Sequence, residues 1–238
     1  MTSDSINNKH VPGAKNTITQ GLSASWPICL GYIPIGFAFG VLAQKAGLSS
    51  LEIGLMSLIV FAGSSQFIAV SMLSAEATSI SIIITTFAIN LRHLLMSSSL
   101  AVFLGNETRK KLALFAYGVT DESFAVNHTK FGRAEWDLNR ALVVNYASNI
   151  TWITSTVIGG YGGQFIPPGA FGIDYALSAM FICLLIFQLK GRIYVITAVM
   201  AGVTAIIFSL IIPGSSYVIL ASILAATMGV AFNRRFRS

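Results

Sequence analysis

Apolar residues along this chain are gathered into runs of membrane-crossing length, and short polar segments between the runs hold most of the charge. Seven runs are long enough to be helical spans: Gly21–Ala43, Ile53–Ser74, Ile80–Leu104, Ala141–Gly160, Tyr175–Leu189, Ile193–Ile212 and Tyr217–Phe232. At about 1.5 Å rise per residue, some 20 residues cross a ~30 Å hydrocarbon layer. The fifth run is short, so its helix is expected to extend into Gly172-Ile173-Asp174 and Lys190. An eighth run, Leu112–Val126, is interrupted by Thr120-Asp121-Glu122-Ser123. It reads as a half-helix, re-entrant or lying at the interface. The predicted fold is an all-α integral membrane bundle of seven transmembrane helices plus one half-helix. A polar tail (1–19) precedes a single transmembrane domain (20–232), and a basic tail (233–238) follows it.

Loop charge predicts the orientation. Arg109-Lys110-Lys111, then Lys130, Arg133 and Arg140, then Lys190 and Arg192, and finally Arg234, Arg235 and Arg237 form the basic clusters. The connections around Glu76, Tyr161–Gly172 and Pro213–Ser216 contain no Lys or Arg. With Leu112–Val126 not crossing, every basic cluster falls on one side. The positive-inside rule then places the N-terminus out and the C-terminus in, with Lys9 and Lys15 as the exceptions. A faint internal echo suggests two inverted three-helix units. Gly31, Gly36 and Gly40 in one half answer Gly159, Gly160 and Gly162 in the other, and Ser57 with Gln66 answers Ser178 with Gln188. Any two glycine-rich membrane helices would also look alike.

Composition narrows the class. Of 238 residues, 54% are hydrophobic and 10% charged, with mean hydropathy +0.73. A soluble domain carries about 25% charged residues, so this chain is expected in a bilayer. The net charge of +6 is spread over loops, which argues against nucleic acid as a partner. Cys29 and Cys183 sit inside apolar runs and read as small hydrophobes. The tail lacks the apolar core of a cleaved signal. No GxSxG, HExxH, Walker loop or GxGxxG is present, and His10, His93 and His128 are too scattered for a metal site. The reading is therefore a non-enzyme without metal or cofactor.

The candidate chemistry centres on Arg92, about 18 Å from either end of its run at ~1.5 Å per residue. An arginine cannot snorkel that far, and a buried charge there costs at least about 2.5 kcal/mol. Arg92 either grips a substrate carboxylate with its two-pronged guanidinium or forms a structural ion pair with Asp121, Glu122 or Asp174. Asn90, His93 and Ser97 share one helix face, and Arg92 points a third of a turn or more away. His93 is a proton relay or a hydrogen-bonded structural residue. Asp121 and Glu122 form the acidic pair within an apolar segment; they would bind an ammonium group, carry a coupling proton, or simply rest solvated at the surface.

In the first run, Pro27, Gly31, Pro34 and Gly36 predict a broken helix lining a site, against a kinked packing helix with Gly36 and Gly40 in close contact. In the second, Gly63-Ser64-Ser65-Gln66 would let a backbone approach closely or unwind, unless the serines bond back to their helix and Gly63 packs. Asn145, Asn149 and Gln188 read as interhelical glue. Two rival classes stay open: a channel or scaffold subunit, and an intramembrane enzyme using Ser64 or Ser65 beside His93.

Four motifs in order resemble the AzlC/YgaZ family: Pro27 to Gly40, then Phe61-Ala62-Gly63-Ser64-Ser65-Gln66-Phe67, Asn90-Leu91-Arg92-His93, and Thr120-Asp121-Glu122-Ser123-Phe124-Ala125. The resemblance runs from about Gly21 to Phe232. It implies a bacterial cytoplasmic-membrane exporter of branched-chain amino acids such as valine, proton-coupled, with a small separately encoded AzlD-type membrane subunit. On that reading Arg92 takes the substrate carboxylate, directly or through Asn90. Gly31, Pro34, Gly63, Ser64, Ser65 and Gln66 contact its polar end, and Asp121, Glu122 or His93 carries the proton.

Overall fold

The computed structural model describes residues 14–105, 107–167 and 191–211, together with positions 172, 175, 178, 179, 182, 185, 186, 189, 221, 224, 225 and 227–229. The runs Tyr175–Leu189 and Tyr217–Phe232 lie largely outside the described residues, as do Asp174, Cys183, Gln188 and Lys190. Of the second half of the expected repeat, Gln188 falls there, whereas Gly159, Gly160 and Gly162 lie in described residues.

Among the described residues the ordered elements are helices: α1 (Ala14–Lys45), α2 (Ser50–Ile59), α3 (Gly63–Ser74), α4 (Ser79–Ala101), α5 (Arg109–Tyr117), α6 (Asp121–Gly132), α7 (Leu138–Gly162), a 3-10 turn (Gly163–Phe165) and α8 (Arg192–Ile211). Three are long and apolar enough to cross a membrane: Asn16–Lys45 within α1, Ser79–Ala101 and Arg192–Ile211. The 25-residue α7 would be about 37 Å long, yet it buries Asn145, Ser148, Asn149, Ser155 and Thr156. It is the polar spine on which α1, α2, α5 and α6 pack.

The α1–α7 seam corrects one expectation. The helix does not break at Pro27 or Pro34; α1 runs through both. Its glycines serve close approach. A Cβ on Gly40 would collide with the Thr156 carbonyl, one on Gly159 with that of Phe37, and one on Gly36 with the Ser155 hydroxyl. Ser155 of α7 also meets α1 here, its Oγ lying 3.3 Å from the Tyr32 carbonyl and 2.9 Å from the carbonyl of Trp152, so its one hydrogen is shared between the two helices.

The breaks fall elsewhere. The second run divides at Val60–Ala62, where Phe61 takes a left-handed backbone (φ 40°). That conformation costs about 1–2 kcal/mol for a residue with a Cβ, and Phe61 is held in it by burial and by its ring against Tyr117, centroids 6.2 Å apart. Where one half-helix is expected over Leu112–Val126, there are two short helices separated by Gly118-Val119-Thr120. Thr120 caps α6 in a reciprocal box with Ser123. The two breaks are tied together, because Tyr117 Oη donates to the Leu58 carbonyl at the end of α2. Leu100 at the end of α4, Leu104 just beyond it, Phe115 of α5, Phe131 at the end of α6 and Leu138 at the start of α7 share one core cluster. Thus α6 runs from the level of Arg92 back to the end of the bundle where α4 finishes.

Outside the apolar layer, Ser49 and Glu52 form a capping box on α2. The Ser49 N–H and hydroxyl hold the Glu52 carboxyl below the usual glutamate range.

Candidate functional site

The site lies where the starts of α3 and α6 meet the middle of α4. Helix α4 turns Ile83, Phe87, Leu94 and Leu95 outward and leaves Arg92 and His93 half-buried on its inner side. Arg92 then has two partners from two half-helices. One Nη is 2.8 Å from Asp121 Oδ2, and the other donates to Ser64 Oγ. Among the described residues Asp121 is the carboxylate that Arg92 pairs with; Asp174 lies outside them.

Both partners sit at helix N-termini. Ala62 provides no side-chain cap for α3, so the N–H groups of Gly63, Ser64 and Ser65 precede the first intrahelical bond, Gln66 to Ala62, at 3.0 Å. Asp121 and Glu122 occupy the first turn of α6. Each terminus presents partial positive charge, and with Arg92 they form a locally cationic junction that Asp121 and Glu122 neutralise. The junction is incompletely satisfied. Asn90 Oδ1 and Arg92 Nε are buried without a hydrogen-bond partner among the described residues. Unpaired buried groups of this kind cost about 1–3 kcal/mol each, so they mark a place where a polar ligand would gain.

Other expected site residues are not gathered there. Gln66 is fully buried on the opposite face of α3, where Nε2 donates to Ser57 Oγ (3.2 Å) and Oε1 accepts from Trp152 Nε1 (3.0 Å). Ser57 in turn shares a hydrogen bond with Thr156 at 2.9 Å. Gly63 also faces Trp152, its ring 3.1 Å from where a Cβ would stand. The cluster Gly63–Gln66 therefore splits: Ser64 faces Arg92, while Gly63 and Gln66 lock α3 to α7. Ser65 Oγ bonds back to the Ala62 carbonyl at 3.0 Å. Gly31 and Pro34 are on the exposed side of α1, and nothing lies within 4 Å of a Cβ at Gly31. His93 is half-buried next to Arg92 on α4, and among the described residues neither Ser64 nor Ser65 bonds it.

Glu122 accepts a hydrogen bond from Tyr32 Oη at 2.7 Å, which ties α6 to α1. Tyr32 has no role in the sequence reading, although it lies between the two prolines of α1. Asn127 was also missed. Its Nδ2 donates to Asn145 Oδ1 at 2.9 Å, and Asn145 donates on to the Phe115 carbonyl at 3.1 Å. Asn145 thus joins α5, α6 and α7, and Asn149 reaches Tyr117 Oη at 3.4 Å. The signal for the α6 start was present in Thr120-x-x-Ser123 with acids between, a cap signature.

Comparison with known proteins identifies what the chain is similar to. A family model described as AzlC protein matches residues 27–166, which include every residue of the junction. The inner membrane protein YgaZ of Escherichia coli is 36% identical over 205 residues, covering 81% of this chain and 83% of that one. The branched-chain amino acid transport protein AzlC of Bacillus subtilis is 29% identical over 201 residues, 84% of this chain and 78% of that one. An uncharacterized membrane protein of Archaeoglobus fulgidus is 36% identical over 200 residues, 81% and 84% of the two chains. No solved structure matches.

Proposed function

Because this chain belongs to the AzlC family of membrane transport proteins, we propose that it exports branched-chain amino acids such as valine across the cytoplasmic membrane, with proton coupling and with a small AzlD-type subunit as partner. The observation that carries the reading is the ion pair between Arg92 and Asp121 at the mouths of two half-helices. A zwitterion inserted into that pair gives Arg92 a carboxylate and Asp121 an ammonium group. Two charges become four without a change in net charge, so the insertion leaves no ion unpaired in a low-dielectric setting.

The substrate carboxylate would take Arg92 in the fork geometry that lysine cannot reproduce, with the α3 N–H groups and Ser64 Oγ beside it. Asn90 Oδ1 is an acceptor for the ammonium. The branched side chain would lie against the apolar walls of α4 and its neighbours. The bilayer supplies the barrier, and the half-helix ends supply charge stabilisation without an ion of their own, a recurrent transporter design.

The test is efflux of labelled valine from proteoliposomes, with and without the small partner and a pH gradient. Wild type is expected to export valine. Arg92→Lys keeps the charge and is expected to fold, yet to lose most transport. Normal efflux by that variant removes Arg92 from the substrate path.

A further inference from the structure

Tyr32 has one phenolic hydrogen and two acceptors within reach, Glu122 Oε2 at 2.7 Å and Thr120 Oγ1 at 2.9 Å. Its side chain is buried, and its ring is fixed edge-on to Trp152 with centroids 5.3 Å apart. The hydroxyl is therefore held over the start of α6. From this geometry, and resting on the transport reading above, we infer that Glu122 rather than Asp121 carries the coupling proton. In the same inference Tyr32 is its positioning residue, its hydrogen passing between Glu122 and the cap residue Thr120.

The two neighbouring carboxylates differ in what protonation would break. Asp121 is the counter-charge of Arg92 at 2.8 Å, so neutralising it strands a guanidinium. Glu122 has no cation partner among the described residues. Its protonation leaves every ion pair in place. The charged and titratable groups around it are Tyr32 from α1, Asp121 on its own helix, and Arg92 with His93 from α4 beyond Asp121. Helix α7 contributes the neutral Trp152 and Ser155 behind Tyr32.

The step balances with protons alone. A proton from water adds to a Glu122 carboxylate oxygen. The phenolic hydrogen, no longer needed there, turns to Thr120 Oγ1, and the new carboxyl O–H donates to the phenolic oxygen. Deprotonation toward the other side reverses each move. Thr120 Oγ1 already accepts the Ser123 N–H at 3.3 Å as the α6 cap. The proton thus changes the load on the cap one residue from Asp121, linking protonation to the helix end that meets substrate.

The experiment follows valine counterflow in proteoliposomes of the full chain from pH 5 to 9, alongside proton movement read by a trapped pH dye. For Glu122→Gln the expectation is at least about a tenfold loss of valine-linked proton movement and a flattened pH profile. For Tyr32→Phe, which keeps the ring against Trp152, the half-maximal pH is expected to rise by about 0.5 unit, because the ionised carboxylate loses a donor. Wild-type proton coupling retained in Glu122→Gln, or an unchanged profile in Tyr32→Phe, overturns the inference. If Glu122→Gln is not recovered folded, the Tyr32→Phe profile decides alone. Wild-type exchange with a flat pH profile sinks this inference only, whereas wild type that exchanges no valine sinks the transport reading and this inference with it.

Discussion

The α1–α7 seam and the junction at Arg92 are both unusual for a membrane bundle, but in opposite senses. The seam is full. Its glycines bring two backbones together, and the polar groups that join α2 and α3 to α7 (Ser57, Gln66, Trp152 and Thr156) satisfy one another. The junction is unfinished: the uncapped start of α3, the Thr120-capped start of α6, an ion pair and two buried polar atoms without partners among the described residues converge there. Small and polar residues in a bilayer are therefore not evidence of a site by themselves. On the proposed reading a binding place combines unpartnered groups with an ion pair; Asn127 Oδ1 and Trp136 Nε1 are also buried without partners, but neither residue forms an ion pair among the described residues.

That contrast is breakable by mutation. The largest effect is expected at the seam, where Gly40→Leu forces a side chain into the Thr156 carbonyl and should leave little folded protein by size-exclusion fluorescence, since overpacking costs about 1–3 kcal/mol even without backbone collision. Next comes Asp121→Asn, which strands Arg92. Valine efflux should fall about tenfold or more, with thermal stability in detergent changed much less than in Gly40→Leu. Gln66→Leu sharpens the division from the other side. Losing two buried hydrogen bonds and orphaning the Trp152 N–H should cost about 1–3 kcal/mol of stability, while valine affinity moves less than about threefold. A tenfold loss of affinity in that variant would return Gln66 to the binding place. The smallest effect is at the α6–α7 connection, where the Glu135 carboxyl is held below the ordinary glutamate range, first by its hydrogen bond from Lys130 and then by Arg133. Its contribution is present above the ordinary glutamate value of about 4.3 and fades as pH falls through the lowered folded value. Any stability gap between wild type and Glu135→Gln should therefore shrink on acidification below that range.

The sequence announces the bundle class and the importance of Arg92, because a guanidinium deep in an apolar run has few explanations. It also announces a carboxylate partner, though not which one. The location of the helix breaks was harder to read. Pro27 and Pro34 are the usual breakers, yet α1 runs through both while its glycines close on α7, whose residues lie far along the sequence. The break at Phe61 contains no proline and is held by Tyr117 of a distant helix, so no local pattern marks it. Ser64 and Gln66 show the same limit: two positions apart on α3, they face opposite ways, and only the placement of Trp152 decides which one faces the charges.

The insertion of a zwitterion between Arg92 and Asp121 is tested most directly by calorimetric binding of valine, valinamide and 3-methylbutanoate to purified wild type and Asp121→Asn. Each analogue lacks one of the two charges, so wild type should bind both at least about tenfold more weakly than valine. The variant should lose most of its preference for valine over 3-methylbutanoate. Valinamide bound as tightly as valine would contradict the account.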